Sequence, residues 1–217
     1  MTLLHALDGP RVAPASGQAA RSLVILAHGY GSNGDDLIGL APYWQDALPD
    51  TAFVAPNAPQ ACADSPGGHQ WWPVWNADRL AGVRAAAPVL DAFIDAELAR
   101  HSLTADRLAL VGFSQGTMMA LHIAARRTRR LAGVVGYSGM LIDPTADEVR
   151  TKPPILLIHG SADPMVPIAA FHSAEKTLRD LGFPLEAHIC PGLGHSIDMP
   201  GLKLAETFLA RVLQPGA

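Results

Sequence analysis

The segment Val111-Gly112-Phe113-Ser114-Gln115-Gly116 sets a serine between two glycines in the pattern G-x-S-x-G. An apolar run, Leu108-Ala109-Leu110-Val111, leads into it, and a helix-forming run from Thr117 to Ala125 follows. A strand that reverses at once into a helix brings its own backbone close together. Glycines at the two flanks leave out the side chains that would collide there, and the turn lifts the Ser114 hydroxyl to the end of a sheet. A serine hydroxyl is a poor nucleophile at neutral pH. Acyl-transfer chemistry therefore requires a base within hydrogen-bond reach and a third group that orients the base. A glycine-rich turn that merely happens to hold a serine predicts no such partners.

Two later segments supply them, in the chain order Ser, Asp, His that accompanies this motif. The apolar run Ile155-Leu156-Leu157-Ile158 passes through His159-Gly160-Ser161-Ala162 into Asp163, and Pro164 and Pro167 restrict the backbone that carries it. An aspartate here also suits a helix cap; Asp163 is read as the triad acid, in preference to Asp143 and Asp147, which follow an earlier strand. Leu185 to Cys190 alternates as an edge strand, Pro191-Gly192-Leu193-Gly194 forms a loop, and His195 precedes the last helix. There one ring nitrogen can face Ser114 and the other Asp163. The remaining histidines lack this setting. His188 lies within a strand pattern, His122 and His172 lie in helices, and His5, His69 and His101 are away from strand ends. His28 and His159 precede glycines at strand ends and are expected to hold loops by hydrogen bonds. With no His-x-His or His-Glu-x-x-His pattern, no metal site is expected.

Acyl transfer passes through a tetrahedral oxyanion, and each preorganised N–H donor is worth about 3–4 kcal/mol of barrier. The first residue of the helix after the nucleophile, Gln115, offers one donor, where the helix dipole adds to it. The early loop His28-Gly29-Tyr30-Gly31-Ser32-Asn33-Gly34-Asp35-Asp36 offers the second, assigned to Tyr30 N–H. The same loop lacks the Gly-Lys-Ser/Thr ending of a phosphate-binding loop. Residues 56–82 form a long turn-rich stretch bearing Trp71, Trp72 and Trp75. Trp71 and Trp72, with Met165 and Ile197, are expected to line an apolar wall for a short or medium acyl chain. Ordinary loop packing is the alternative for the tryptophans.

These groups need a scaffold that gathers strand ends. Leu23–Ala27, Ala52–Ala55, Leu108–Val111, Ala132–Tyr137 and Ile155–Ile158 are apolar on both faces, as central strands of a parallel sheet are. Between them run helical patterns. Val83 to Arg100 carries Leu90, Phe93, Ile94, Glu97 and Leu98 at helical spacing. Phe171, Ala174, Leu178 and Leu181 form a second stripe that ends at Gly182. Ala205, Phe208, Leu209 and Val212 form a third, with Pro200 near its start. Strands alternating with helices predict βαβ units and a mostly parallel sheet. A single domain over residues 1–217 is expected, with residues 1–21 an edge hairpin or a loose arm.

The chain of 217 residues carries a net charge of −4, and this mild acidity argues against nucleic-acid binding. Its one basic cluster, Arg126, Arg127, Arg129 and Arg130, is read as charge at a helix C-terminus. Cys62 and Cys190 are expected to be free thiols. No signal peptide and no apolar run of membrane-spanning length is found, so a cytoplasmic enzyme is expected. An exposed apolar patch would serve a homodimer or a lipid-like substrate, and both stay open.

Taken together, the chain resembles the phospholipase/carboxylesterase family of α/β hydrolases, which includes the acyl-protein thioesterases. Four segments carry the resemblance in order: Leu26-Ala27-His28-Gly29-Tyr30-Gly31, Gly112-Phe113-Ser114-Gln115-Gly116, His159 to Pro167, and Gly194-His195. The resemblance implies an α/β-hydrolase fold with helices on both faces of the sheet and no large cap domain. It also implies a triad of Ser114, Asp163 and His195, with Tyr30 and Gln115 at the oxyanion hole. The loop from Gly31 to Asp36 is closer to bacterial members than to eukaryotic thioesterases. The expected activity is hydrolysis of small carboxylic esters through an acyl-enzyme, without a cofactor. Thioester hydrolysis, acyl transfer and peptidase action are rival uses of the same triad. A non-catalytic ligand-binding scaffold predicts a damaged triad, which this is not.

Overall fold

The computed structural model describes residues 7–74, 78–142 and 145–214; Trp75, Asp143 and His5 lie outside them. In chain order the elements are β1 (Arg11–Val12), β2 (Ser22–Ala27), α1 (Gly34–Ile38), β3 (Thr51–Val54), β4 (Gln60–Ala61), β5 (His69–Gln70), α2 (Arg79–His101), β6 (Leu108–Phe113), α3 (Gln115–Arg126), β7 (Gly133–Tyr137), β8 (Ile155–Gly160), α4 (Ile168–Asp180), β9 (Leu185–Cys190) and α5 (Met199–Leu213). Seven strands form one sheet in the order β1-β3-β2-β6-β7-β8-β9. Every neighbouring pair is parallel except β1 with β3.

The two-sided apolar runs do what their composition requires. Successive side chains of a strand point to opposite faces, so Leu23, Ile25 and Ala27 of β2 enter one core and Val24 and Leu26 the other. In β6, Leu108 and Leu110 divide from Ala109 and Val111 in the same way. Helices α2, α3 and α4 cover the first face, and α1 and α5 cover the second. The edge strand β9 is half-exposed, as its alternating sequence predicts.

Three elements differ from the sequence reading. In the described part of the N-terminal arm, β1 pairs with β3 as an antiparallel edge strand, on the side away from β2, and not with a second strand of its own arm. It is tied there by Arg11, whose guanidinium donates at 2.8 Å to Glu97 of α2. Glu97 is buried, with Arg100 as a second partner at 3.1 Å, so the one acidic residue in that helical stripe is an internal ion-pair centre. Helix α2 starts four residues before Val83, because Asp78 caps it by accepting the Ala81 N–H at 2.9 Å. The turn-rich stretch after β3 contains a small antiparallel pair, β4 with β5, which folds back against the loop that follows β2.

Among the described residues, no helix is long and apolar enough to cross a membrane. Cys62 and Cys190 are buried free thiols.

Candidate active site

The site assembles at the C-terminal ends of β2, β6, β8 and β9, where a parallel sheet presents its loops on one edge. Ser114 stands between β6 and α3 with φ 54° and ψ −114°. A side-chain-bearing residue in this region stores roughly 1–3 kcal/mol of strain. The surroundings enforce it: the Ser114 N–H donates to the Tyr137 carbonyl of β7 at 2.9 Å. A Cβ on Gly116 would lie 1.9 Å from the Ala27 carbonyl oxygen, and one on Gly112 2.4 Å from the Thr117 nitrogen. The two flanking glycines are thus demanded by strand-to-helix contact.

Asp163 sits beyond β8 with its carboxylate fully buried. Its Oδ1 accepts the N–H groups of Met165 at 2.8 Å and Val166 at 2.9 Å. Its Oδ2 lies 2.7 Å from His195 Nδ1. Burial alone would raise the Asp163 pKa, but the His195 hydrogen bond and the two backbone donors outweigh it and hold the carboxyl below its ordinary value. An ionised carboxylate can only accept, so His195 Nδ1 is the donor in this hydrogen bond. The His195 ring packs against Phe113, the residue before Ser114, at 4.9 Å between centroids. His159 Nε2 donates to the Val166 carbonyl at 2.8 Å, which fastens the acid loop from below.

On the other side, His28 is buried and makes two hydrogen bonds. Its Nε2 accepts the Ala58 N–H at 2.9 Å, so its proton is on Nδ1, which donates to the Gly29 carbonyl at 2.7 Å. Burial pushes its pKa below the ordinary imidazole value, consistent with a neutral ring. The Gly29 carbonyl and the Tyr30 N–H share one planar peptide and point in opposite directions. Fixing the first therefore aims the second. The next residues are held by the hairpin: Gly31 N–H donates to the His69 carbonyl at 2.9 Å, and Ser65 Oγ donates to the Gly31 carbonyl at 2.8 Å. The Gln115 N–H, at the first position of α3, has no partner within its helix. The Tyr30 hydroxyl donates to Asp64 at 2.7 Å; its pKa is raised by hydrogen bonding to Cys62 and then to Asp64.

The structure brings Ser114, Asp163 and His195 to one edge, with Tyr30 and Gln115 beside Ser114 in the loops after β2 and β6. Met165 stands at the acid loop with 71% of its surface exposed, and Ile197 is half-buried two residues past His195. Trp71 and Trp72 do not form the apolar wall expected of them. Both are core residues, the Trp71 ring lying over His28 and the Trp72 ring against Gly82 of α2. Their reach into the site is through hydrogen bonds: the Gln115 side chain holds their backbone, and the Trp71 indole holds the His28 carbonyl. Sequence reasoning also passed over His69, whose Nδ1 lies 2.9 Å from the Ala58 carbonyl and whose backbone pairs with Ser32. Only the position of its loop after a strand end hinted at this.

A cavity of about 510 Å³ lies elsewhere, along α2 and the far half of α3. Its walls include two arginines of the basic cluster, both in ion pairs: Arg126 with Glu148, and Arg127 with Asp91 and Asp95.

A strained serine at a strand-to-helix turn, with a hydrogen-bonded aspartate–histidine pair at the same end of a mostly parallel sheet, is the plan of an α/β hydrolase. Comparison with known proteins narrows the class. Residues 8–213 match the phospholipase/carboxylesterase family, and the chain belongs to it. The crystal structure of esterase PE8 superposes with a TM-score of 0.92 at 45% identity, covering 96% of this chain and all of the other. Acyl-protein thioesterase 1 of Schizosaccharomyces pombe is 30% identical, over 88% of each chain. The esterase YpfH of Escherichia coli is 27% identical, over 86% of this chain and 81% of its own.

Proposed function

We propose that this carboxylic-ester hydrolase works through an acyl-enzyme formed on Ser114, with His195 as base and Asp163 as its orienting acid. His195 Nε2 takes the Ser114 proton as the hydroxyl attacks the ester carbonyl, and returns it to the departing alkoxide. Water then attacks the acyl-enzyme, with His195 again as base. Asp163 stays ionised throughout and stabilises the imidazolium that forms twice per cycle. The N–H groups of Tyr30 and Gln115 receive the oxyanion in both halves of the reaction. The observation that carries this reading is the 2.7 Å bond from His195 Nδ1 to a buried, ionised Asp163. It makes Nδ1 the nitrogen that is oriented and leaves Nε2 for the role of base.

Met165, two residues past Asp163, and Ile197, two residues past His195, give the mouth an apolar side suited to short and medium acyl chains. Thioesters are the second reading, favoured by relatives named acyl-protein thioesterase. A reducing, cytoplasmic setting agrees with two unpaired buried cysteines.

Hydrolysis of p-nitrophenyl esters from acetyl to palmitoyl, with fluorophosphonate labelling, tests the proposal. Turnover with a chain-length optimum and label on Ser114 is expected. Absence of both overturns it, and label on another serine displaces the assignment.

A further inference from the structure

Resting on the ester-hydrolase reading, we propose that the Trp71 indole and the Gln115 carboxamide are positioning residues for the oxyanion hole. They couple the two N–H donors, which come from separate loops, into one buried frame. Gln115 Oε1 accepts the Trp71 N–H at 2.9 Å, and its Nε2 donates to the Trp72 carbonyl at 2.8 Å. The loop offers one donor and one acceptor, so the amide has a single orientation. Trp71 Nε1 in turn donates to the His28 carbonyl at 3.0 Å. The His28 ring holds the Gly29 carbonyl, and so directs the Tyr30 N–H. A continuous chain thus runs from one donor to the other: Gln115 side chain, Trp71 backbone, Trp71 indole, His28, Gly29, Tyr30.

Trp71 is 1% exposed and Gln115 2%, so their side chains act through these bonds and not on the substrate. The frame matters because the donors must meet an oxygen that moves as the carbonyl becomes tetrahedral. The two backbone segments that carry the donors follow different strands, β2 and β6. Their register in the sheet sets the coarse separation, and the Trp71–Gln115 bridge fixes the rest. A displacement of about 1 Å at such a site costs on the order of a hundredfold in rate.

Trp71→Phe tests this, because it deletes the hydrogen bond to the His28 carbonyl and keeps a ring over His28. The full chain is assayed on a p-nitrophenyl ester, with active sites counted by fluorophosphonate labelling run to completion. The expected result is a fall of about tenfold or more in kcat per labelled site, with KM within about twofold. The inhibition constant of a trifluoromethyl ketone, which forms an oxyanion on Ser114, should rise by the factor that kcat/KM loses. A purely structural role lowers the melting temperature and the labelled fraction, yet leaves kcat per labelled site and ketone binding unchanged; that result overturns the proposal. Should Trp71→Phe not fold, Gln115→Glu keeps the size and one acceptor, removes the donor to Trp72, and is read in the same way. A wild-type enzyme without turnover or Ser114 label would sink the hydrolase reading itself, whereas active wild type with fully active variants sinks only the positioning role.

Discussion

The two flanks of Ser114 are built differently. On the proposed acid–base flank, chemistry rests on two side chains, Asp163 and His195, from the loops after β8 and β9, and His195 keeps 19% of its side chain in solvent above a carboxylate that has none. On the proposed donor flank, the working groups are backbone N–H bonds, and the side chains around them are buried supports. His28, Trp71 and Gln115 spend their polar atoms on carbonyls and N–H groups of neighbouring loops. Groups that must change protonation or contact substrate stand at the surface and carry residue types that announce themselves. Groups that must only stay in place are buried among hydrogen bonds, and any residue can supply the N–H they aim.

This contrast can be broken or sharpened by measurement. The largest effects belong to the acid–base flank. Ser114→Ala, His195→Gln and Asp163→Asn should each lower kcat on a p-nitrophenyl ester by about 10⁴-fold or more while urea midpoints barely move for the first two. A comparable midpoint loss in His195→Gln would mean that the exposed flank is structural after all.

The donor flank should answer first in stability. Gln115→Leu leaves the buried Trp71 N–H and Trp72 carbonyl without partners and should cost about 1–3 kcal/mol in urea unfolding. A neutral result would show that water enters that loop.

The same flank should give stability an acid limb. The folded-state pKa of His28 lies below its ordinary value of 6.5, so the unfolded chain binds the proton more readily. Its contribution is intact above pH 6.5 and is lost as pH falls below that value, at no more than about 1.4 kcal/mol per pH unit. Asp163, also depressed, contributes above its ordinary 3.8 and adds a second loss only at lower pH. Urea midpoints between pH 8 and 5, compared with His28→Gln, should show the first limb flattened in the variant. A wild type with no such limb would mean that His28 is not held neutral.

Smaller still, Ser114→Gly should raise stability by about 1 kcal/mol, by releasing the positive φ while removing the nucleophile. A loss instead would mean that the turn is unstrained. His188→Gln is the baseline: half-exposed on β9, it should leave kcat within about twofold.

The legible parts of the chain were those where a residue type and a period sufficed. The runs at β2, β6 and β8 are apolar on both faces because both faces are covered, so five central strands and the doubly layered plan could be read directly. The same holds for Ser114 between its glycines, and for Asp163 and His195 just past the last two strands. Trp71 and Trp72 were misread because an aromatic loop at a strand end looks alike whether its rings face ligand or core. The β4–β5 pair, two residues a side, has no period to detect. Glu97 sat in a helical stripe as an oddity until Arg11, 86 residues away, supplied its charge partner.

By itself, then, the sequence determined the central strands and the covering helices, and put forward three side chains with acid, base or nucleophilic character, because these depend on hydrophobic period and functional group. It also put forward the N–H groups of Tyr30 and Gln115, but only the tertiary structure decided what holds those two segments in place. Every residue but proline carries the same backbone donor, and what distinguishes Tyr30 and Gln115 is the set of distant hydrogen bonds that orients their peptides.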